Sequence, residues 1–309
     1  MMRSALLWLS ERQSIFNFVR RNALARGMAS RFVAGETIAE AVAAAAELHA
    51  RGLTASLDLL GESVRDFADV EAARDTYLEI LRAQAAAGIE VNASLKLTQF
   101  GFDLDEARCE AHVREVVELA RDLGGFIRLD MESSEYTERT LALHRRLASD
   151  LGPHVGVVIQ SALRRSAADI ERLAADGVRV RLCKGAYLEP DSVAFPAKSD
   201  VDAQYVRLME RLLLSGTYHG LATHDEAIIA RAKAFATAHD IGADRFEFQM
   251  LYGVRRDLQD ALVAEGWRLR VYIPFGTQWY PYLMRRLAER PANVFFIVGN
   301  ILKEGRRST

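Results

Sequence analysis

From residue 54 onward the chain alternates short apolar, β-branched runs with longer amphipathic ones. The strand candidates are TASLDLL (54–60), EVNASLKL (90–97), FIRLDME (126–132), VGVVIQS (155–161), VRVRLCKG (178–185), GLATH (220–224), FEFQML (246–251) and LRVYIPF (269–275). Each is rich in residues that suit a pleated, buried surface. Between them the pattern predicts helices at about 66–86, 104–123, 137–149, 166–176, 201–215, 225–239 and 254–266, with a last one from Trp279. An uninterrupted strand–helix series implies a parallel sheet. Eight units are the number at which such a sheet closes into a TIM barrel, whose usual length is about 250 residues. An open doubly wound sheet is the alternative, and it would be unusually wide. Ahead of the series, Ala5–Arg21 and the Ala-rich Glu36–Ala50 read as helices separated by a pause at Gly35. The expected architecture is therefore α/β: a (βα)8 barrel over 54–309 with extra N-terminal helices (1–53) packed on it, one domain overall.

Composition narrows the function classes. With 40 basic against 42 acidic residues, the 309-residue chain has no electrostatic footprint for nucleic acid. Cys109 and Cys183 are isolated and read as buried thiols in a reducing compartment. The N-terminal MMRSALLWLSERQ lacks the apolar core and cleavage site of a signal peptide, and no stretch reaches the ~20 apolar residues of a membrane span. These features predict a soluble, cytoplasmic protein. The long connection EPDSVAFPAKSD (189–200) carries two prolines, and a loop of that length is more often functional than idle.

In a TIM barrel the chemistry gathers at the C-terminal ends of the strands. Those ends carry Asp58 and Glu62, Lys96, Asp130 and Glu132, Gln160, Arg181 with Lys184, Gly185 and Tyr187, Thr223 with His224, Gln249, and Tyr272. Burying so many polar groups is costly unless something binds them. Singly, each has an ordinary explanation: Lys96 and Asp130 as a structural ion pair, Gln160 as a satisfied core amide, His224–Asp225 as the entry to a helix. Together they form a ring. On the last helix Tyr282, Arg285, Arg286 and Glu289 fall at i, i+3, i+4 and i+7, hence on one face. Facing a cavity, that set is an anion clamp; facing solvent, Arg285 and Glu289 are an ordinary i,i+4 pair. No metal-ligand spacing, GxSxG, GxGxxG or Walker loop is present, so no metal is expected. The donors around Arg181, Lys184 and Gly185–Ala186 suit a large anionic cofactor lying over the barrel mouth.

The stretches LDLLGES, SLKLTQFG, RLDMES, VVIQS, RLCKGAYLEP, LATHDE, FEFQMLYGVR and VYIPFGTQWYPYLMRRLAERPANVFF resemble the proline dehydrogenase family, nearest to its short monofunctional bacterial type. The resemblance covers nearly the whole chain, and the last motif is the most specific. It implies a distorted (βα)8 barrel with the final helix over the mouth, binding FAD and oxidising L-proline to 1-pyrroline-5-carboxylate, with membrane quinone as electron acceptor. Arg285, Arg286 and Lys96 would hold the proline carboxylate, while Tyr272, Tyr282 and Leu251 wall the ring with Tyr187 nearby. Glu62 would pair with Arg285, and Glu289 would lie beside it in a gate. Asp130, Gln160, Arg181, Lys184, Gly185, Ala186, Thr223, His224, Gln249 and Arg286 would contact FAD. Leu188 stands where the long bifunctional members have Trp, so no aromatic contact is carried over there. Without their aldehyde dehydrogenase module, the product would be released. The basic tail KEGRRST (303–309) suggests peripheral membrane association. Two other readings compete: a Schiff-base lyase or aldolase using Lys96 or Lys184, and a non-catalytic flavin- or amino-acid-binding protein.

Overall fold

The computed structural model describes the backbone of residues 30–289 and the side chains of residues 30–284. Helix α1 (Ile38–Ala50) begins where Thr37 and Glu40 cap one another. The Glu40 backbone N–H donates to Thr37 Oγ1 (3.3 Å), and the Glu40 carboxylate accepts from the Thr37 N–H (2.9 Å). Eight strand–helix units follow: β1 (Thr54–Leu59), α2 (Phe67–Ala86), β2 (Asn92–Leu95), α3 (Glu106–Asp122), β3 (Phe126–Leu129), α4 (Thr137–Leu151), β4 (Val155–Gln160) and α5 (Ser166–Ala175). The series continues with β5 (Val180–Cys183), α6 (Lys198–Leu213), β6 (His219–Ala222), α7 (Glu226–Ala238), β7 (Phe246–Leu251), α8 (Arg256–Ala264), β8 (Leu269–Phe275) and α9 (Trp279–Glu289). The strands are parallel and close in chain order, with β8 returning to β1 from Thr54↔Arg270 to Leu59↔Phe275. The expected eight-stranded barrel is the observed one. The predicted helix Ala5–Arg21 and the tail 303–309 lie outside the described residues.

Register explains why the strands are polar on one side and apolar on the other. Leu57, Ala93 and Ile127 are partners across β1–β3, and Ile159, Leu182, Leu221 and Phe248 across β4–β7. These side chains lie beneath the helices, in the same buried cluster as Ala41, Ala45 and Leu48 of α1. The opposite parity runs Asp58, Ser94, Arg128 and Gly156, then Arg181, Gly220 and Glu247. Residues of that parity reach one another between strands that are not neighbours, as Arg181 on β5 does with Asp130 after β3. Only the barrel interior permits such contacts, so the interior is polar and the outer layer is the apolar core.

Two backbone details set the rim. Pro274 stands inside β8 without weakening the ladder, because β7 pairs no further than Leu251↔Tyr272 and the Pro274 carbonyl instead accepts from the Ala34 N–H (3.0 Å). Strands β2 and β5 are shorter than predicted. Lys96 leads into a tight turn over Leu97–Phe100 that Gly101 ends at φ 78°, and beyond Lys184 the chain turns at Gly185 with φ 105°. The long connection is tied down: Ala194 bridges Leu163, the Phe195 N–H donates to the Ala162 carbonyl (2.9 Å), and Glu189 accepts from the Ser134 N–H (2.7 Å). Cys109 is buried, whereas Cys183 at the end of β5 is half-buried rather than fully enclosed. Among the described residues no helix is long and apolar enough to cross a membrane.

Candidate active site

At the C-terminal ends of β1, β2, β3, β5 and β8, polar side chains meet across the barrel. Lys96, just past β2, donates to Asp58 Oδ1 on β1 (2.9 Å). Asp130, just past β3, accepts from Arg181 Nη1 (2.8 Å) and from the Tyr272 hydroxyl (2.7 Å). Arg181 also donates Nε–H to Gln249 Oε1 (2.5 Å) and lies over the Tyr272 ring, 4.9 Å from its centroid. Gly220 makes this possible: a Cβ there would sit 2.3 Å from Gln249 Nε2. The partner of Lys96 is therefore Asp58 and not Asp130. β1 and β3 both flank β2, but the two oxygens of Asp130 are taken by Arg181 of β5 and Tyr272 of β8.

Electrostatics fix the protonation states. Burial disfavours the Lys96 ammonium, but the carboxylates of Asp58 and Asp130 outweigh it and raise its pKa, so the side chain stays charged. Burial, then Asp130 and Asp58, push the Tyr272 phenol far above its ordinary range, leaving it a donor. Asp58 itself is raised by burial, with Lys96 opposing.

The other side chains on the rim are held as follows. Gln160 donates to the Glu132 carbonyl (2.8 Å), and a Cβ on Gly185 would come within 2.9 Å of Gln160 Oε1. Lys184 pairs with Asp225 (2.8 Å) and Asp202 (2.6 Å), two carboxylates for an ammonium that carries three N–H donors. Asp225 caps α7 through the Ala227 N–H, and its own N–H donates to Thr223 Oγ1 (3.1 Å). His224 Nε2 accepts from the Leu251 N–H (3.0 Å), which leaves Nδ1 to carry the proton. Ala186 and Tyr187 follow on the loop after β5, where Tyr187 is 42% exposed. Glu62 is half-buried on the loop between β1 and α2, and Tyr282 is buried on α9. The side chains of Arg285, Arg286 and Glu289 lie outside the described residues, although their helix forms as predicted. Among the described residues no cluster of His, Cys, Asp or Glu could hold a metal ion.

Sequence reasoning missed one member of this rim, Thr98. Thr98 donates its N–H to Glu132 Oε1 (3.1 Å) and its hydroxyl to Glu132 Oε2 (2.6 Å). Nothing in SLKLTQFG marks that threonine, because its partner lies on the next strand.

A model of the proline dehydrogenase family matches residues 41–298. The proline dehydrogenase of Deinococcus radiodurans is 44% identical over 307 residues, covering 97% of this chain and 98% of that one. Proline dehydrogenase 1 of Bacillus subtilis is 40% identical over 304 residues, covering 98% of this chain and all of that one. Among solved structures, proline utilization A from Bdellovibrio bacteriovorus, inactivated by N-propargylglycine, superposes with a TM-score of 0.80 at 26% identity. The match takes in 85% of this chain and 32% of that much longer one. With that family match and those identities over nearly its whole length, the chain belongs to the proline dehydrogenase family, in its short monofunctional form.

Proposed function

We propose that this protein oxidises L-proline to 1-pyrroline-5-carboxylate with FAD as its cofactor and a membrane quinone as final electron acceptor, the first step of proline catabolism. The observation that carries the reading is the Arg181–Asp130–Tyr272 set at the mouth, in which Arg181 keeps Nη2 buried without an acceptor among the described residues. A donor in that state is costly alone and suits a polar ring system laid across the strand ends. Gly185, at φ 105° and packed against Gln160, lets the chain turn sharply after β5 where a larger residue would collide. Asp130, Gln160, Arg181, Lys184, Gly185, Ala186, Thr223, His224, Gln249 and Arg286 would hold FAD, which when bound supplies the two-electron acceptor for the hydride.

The remaining roles belong to the chain's own side chains. Proline offers little apolar area, so its carboxylate must give most of the affinity and the orientation. Lys96, held charged by Asp58, would meet that carboxylate with Arg285 and Arg286, each charge-assisted bond contributing about 1.5–3 kcal/mol. Tyr272, fixed by Asp130, would wall the ring with Tyr282 and Leu251, with Tyr187 at the edge, holding one C–H toward the flavin. Glu62 and Glu289 would close the gate over the substrate. A Schiff-base lyase needs a lysine that gives up its proton easily, and Lys96 is shifted the other way. Anaerobic addition of L-proline to the purified protein tests the proposal. Bleaching of an oxidised-flavin spectrum is expected; an unchanged spectrum, or a protein without flavin, overturns it.

A further inference from the structure

The loop between β1 and α2 carries Glu62 and is tied down on both sides of it. On one side the Leu60 N–H donates to the Phe275 carbonyl (2.8 Å), and Gly61 lies so close to Gln99 that a Cβ would sit 2.5 Å from its Nε2. On the other, the Ser63 N–H donates to Thr98 Oγ1 (3.0 Å) and the Val64 N–H to the Thr98 carbonyl (3.3 Å). Ser63 stands at φ 53°, in the left-handed region that a serine enters only when its surroundings impose it. Thr98 does the imposing, and Thr98 is itself held. Its N–H and hydroxyl both end on the carboxylate of Glu132, whose carbonyl is taken by Gln160. Thr98 is 2% and Glu132 6% exposed, so water does not compete for these bonds. Glu62, half-buried, therefore sits between two anchored stretches of backbone at the C-terminal end of β1.

We propose that Thr98 and Glu132 form a staple that sets the position of Glu62 at the substrate mouth, making Thr98 a positioning residue for proline binding. The inference rests on the function proposed above. Because the hydroxyl of Thr98 both donates to Glu132 and accepts from Ser63, one oxygen couples the rigid end of β3 to the gate loop. Thr98→Val keeps the shape and removes both bonds, Thr98→Ser keeps both bonds, and Glu62→Ala removes the group being positioned.

The test uses the holoenzymes, with steady-state kinetics on L-proline and a dye acceptor, and amide hydrogen exchange at Ser63 and Val64. Thr98→Val is expected to raise KM about tenfold with kcat within about twofold and flavin content unchanged. Exchange at both amides should accelerate, and Thr98→Ser should restore both readouts. Added to Glu62→Ala, Thr98→Val should change KM by less than about twofold, since residues acting through one group are not additive. A Thr98→Val enzyme with unchanged KM, or a double variant whose effects multiply, overturns the staple while leaving the proline reaction standing. A wild-type holoenzyme inert toward proline overturns the function and the staple's purpose with it.

Discussion

On the floor of the barrel Arg270 donates to Glu247 (2.7 Å), to both oxygens of Glu90 (2.8 and 3.0 Å) and to the Ala55 carbonyl (2.8 Å). At the mouth Arg181 donates to Gln249 and Asp130 and leaves Nη2 without an acceptor among the described residues. Both guanidiniums point into the same polar interior from neighbouring layers, and both are buried. The difference is completeness. Every nitrogen of Arg270 has an acceptor within the protein, so the floor network is a structural plug. The mouth network is one partner short, and that is what a binding surface looks like before its ligand is counted. Arg128, one inward-facing step below Asp130, lies between them. Its Nε and Nη1 have no acceptor among the described residues, and burial and the neighbouring Arg181 push its pKa well below the usual guanidinium range.

The largest expected effect breaks the floor. Arg270→Leu would strand Glu247, only 2% exposed, without its ion partner, at a cost of about 3–5 kcal/mol in urea unfolding. Activity per folded molecule should survive; a selective loss of proline oxidation with intact stability would contradict the division between floor and mouth. Next comes the mouth. Tyr272→Phe removes one hydrogen bond onto Asp130, a loss of about 1.5–3 kcal/mol, and kcat/KM for proline should fall about tenfold as the ring loses its anchor.

The smallest effect is acid. Burial holds His144 at about 4, and burial with Arg128 and Arg179 holds His219 at about 3, both below the ordinary 6.5. The unfolded chain therefore binds these protons first, so stability is full above pH 6.5, declines as pH falls and stops declining below about 3. Between pH 7 and pH 6 each histidine should cost about 0.7 kcal/mol, measurable as a lower Tm. Asp58 and Glu132 at the mouth are shifted upward by burial, so acid relieves them instead. Replacing His219, which accepts from the Val180 N–H (3.1 Å), by Asn should flatten the lower part of the curve.

The strands were legible because their interior polar residues alternate with Leu, Val and Ile on the outer side, and β4 could be read from VGVVIQ alone. The site was legible as a set of strand ends and not as a set of partners. Which acid meets Lys96 depends on how far the closed sheet brings β1 toward β2, and no local pattern encodes that. Arg270 and Glu247 went unremarked because a charged residue at the start of a strand looks like a solvent edge. Only closure turns that edge inward. Thr98 was invisible for the same reason, since its role lies 34 residues away in Glu132.

The seam between β8 and β1 joins residues 215 positions apart. During synthesis at about 5–20 residues per second, roughly 10–40 s pass between the emergence of the first strand and that of its closing partner. For that interval β1 has one unclaimed edge, and its inward-facing Asp58 has no opposite wall. A ribosome-bound nascent chain therefore exposes an aggregation-prone margin late in its production. Truncations ending before residue 269 should engage chaperones that the finished cylinder escapes.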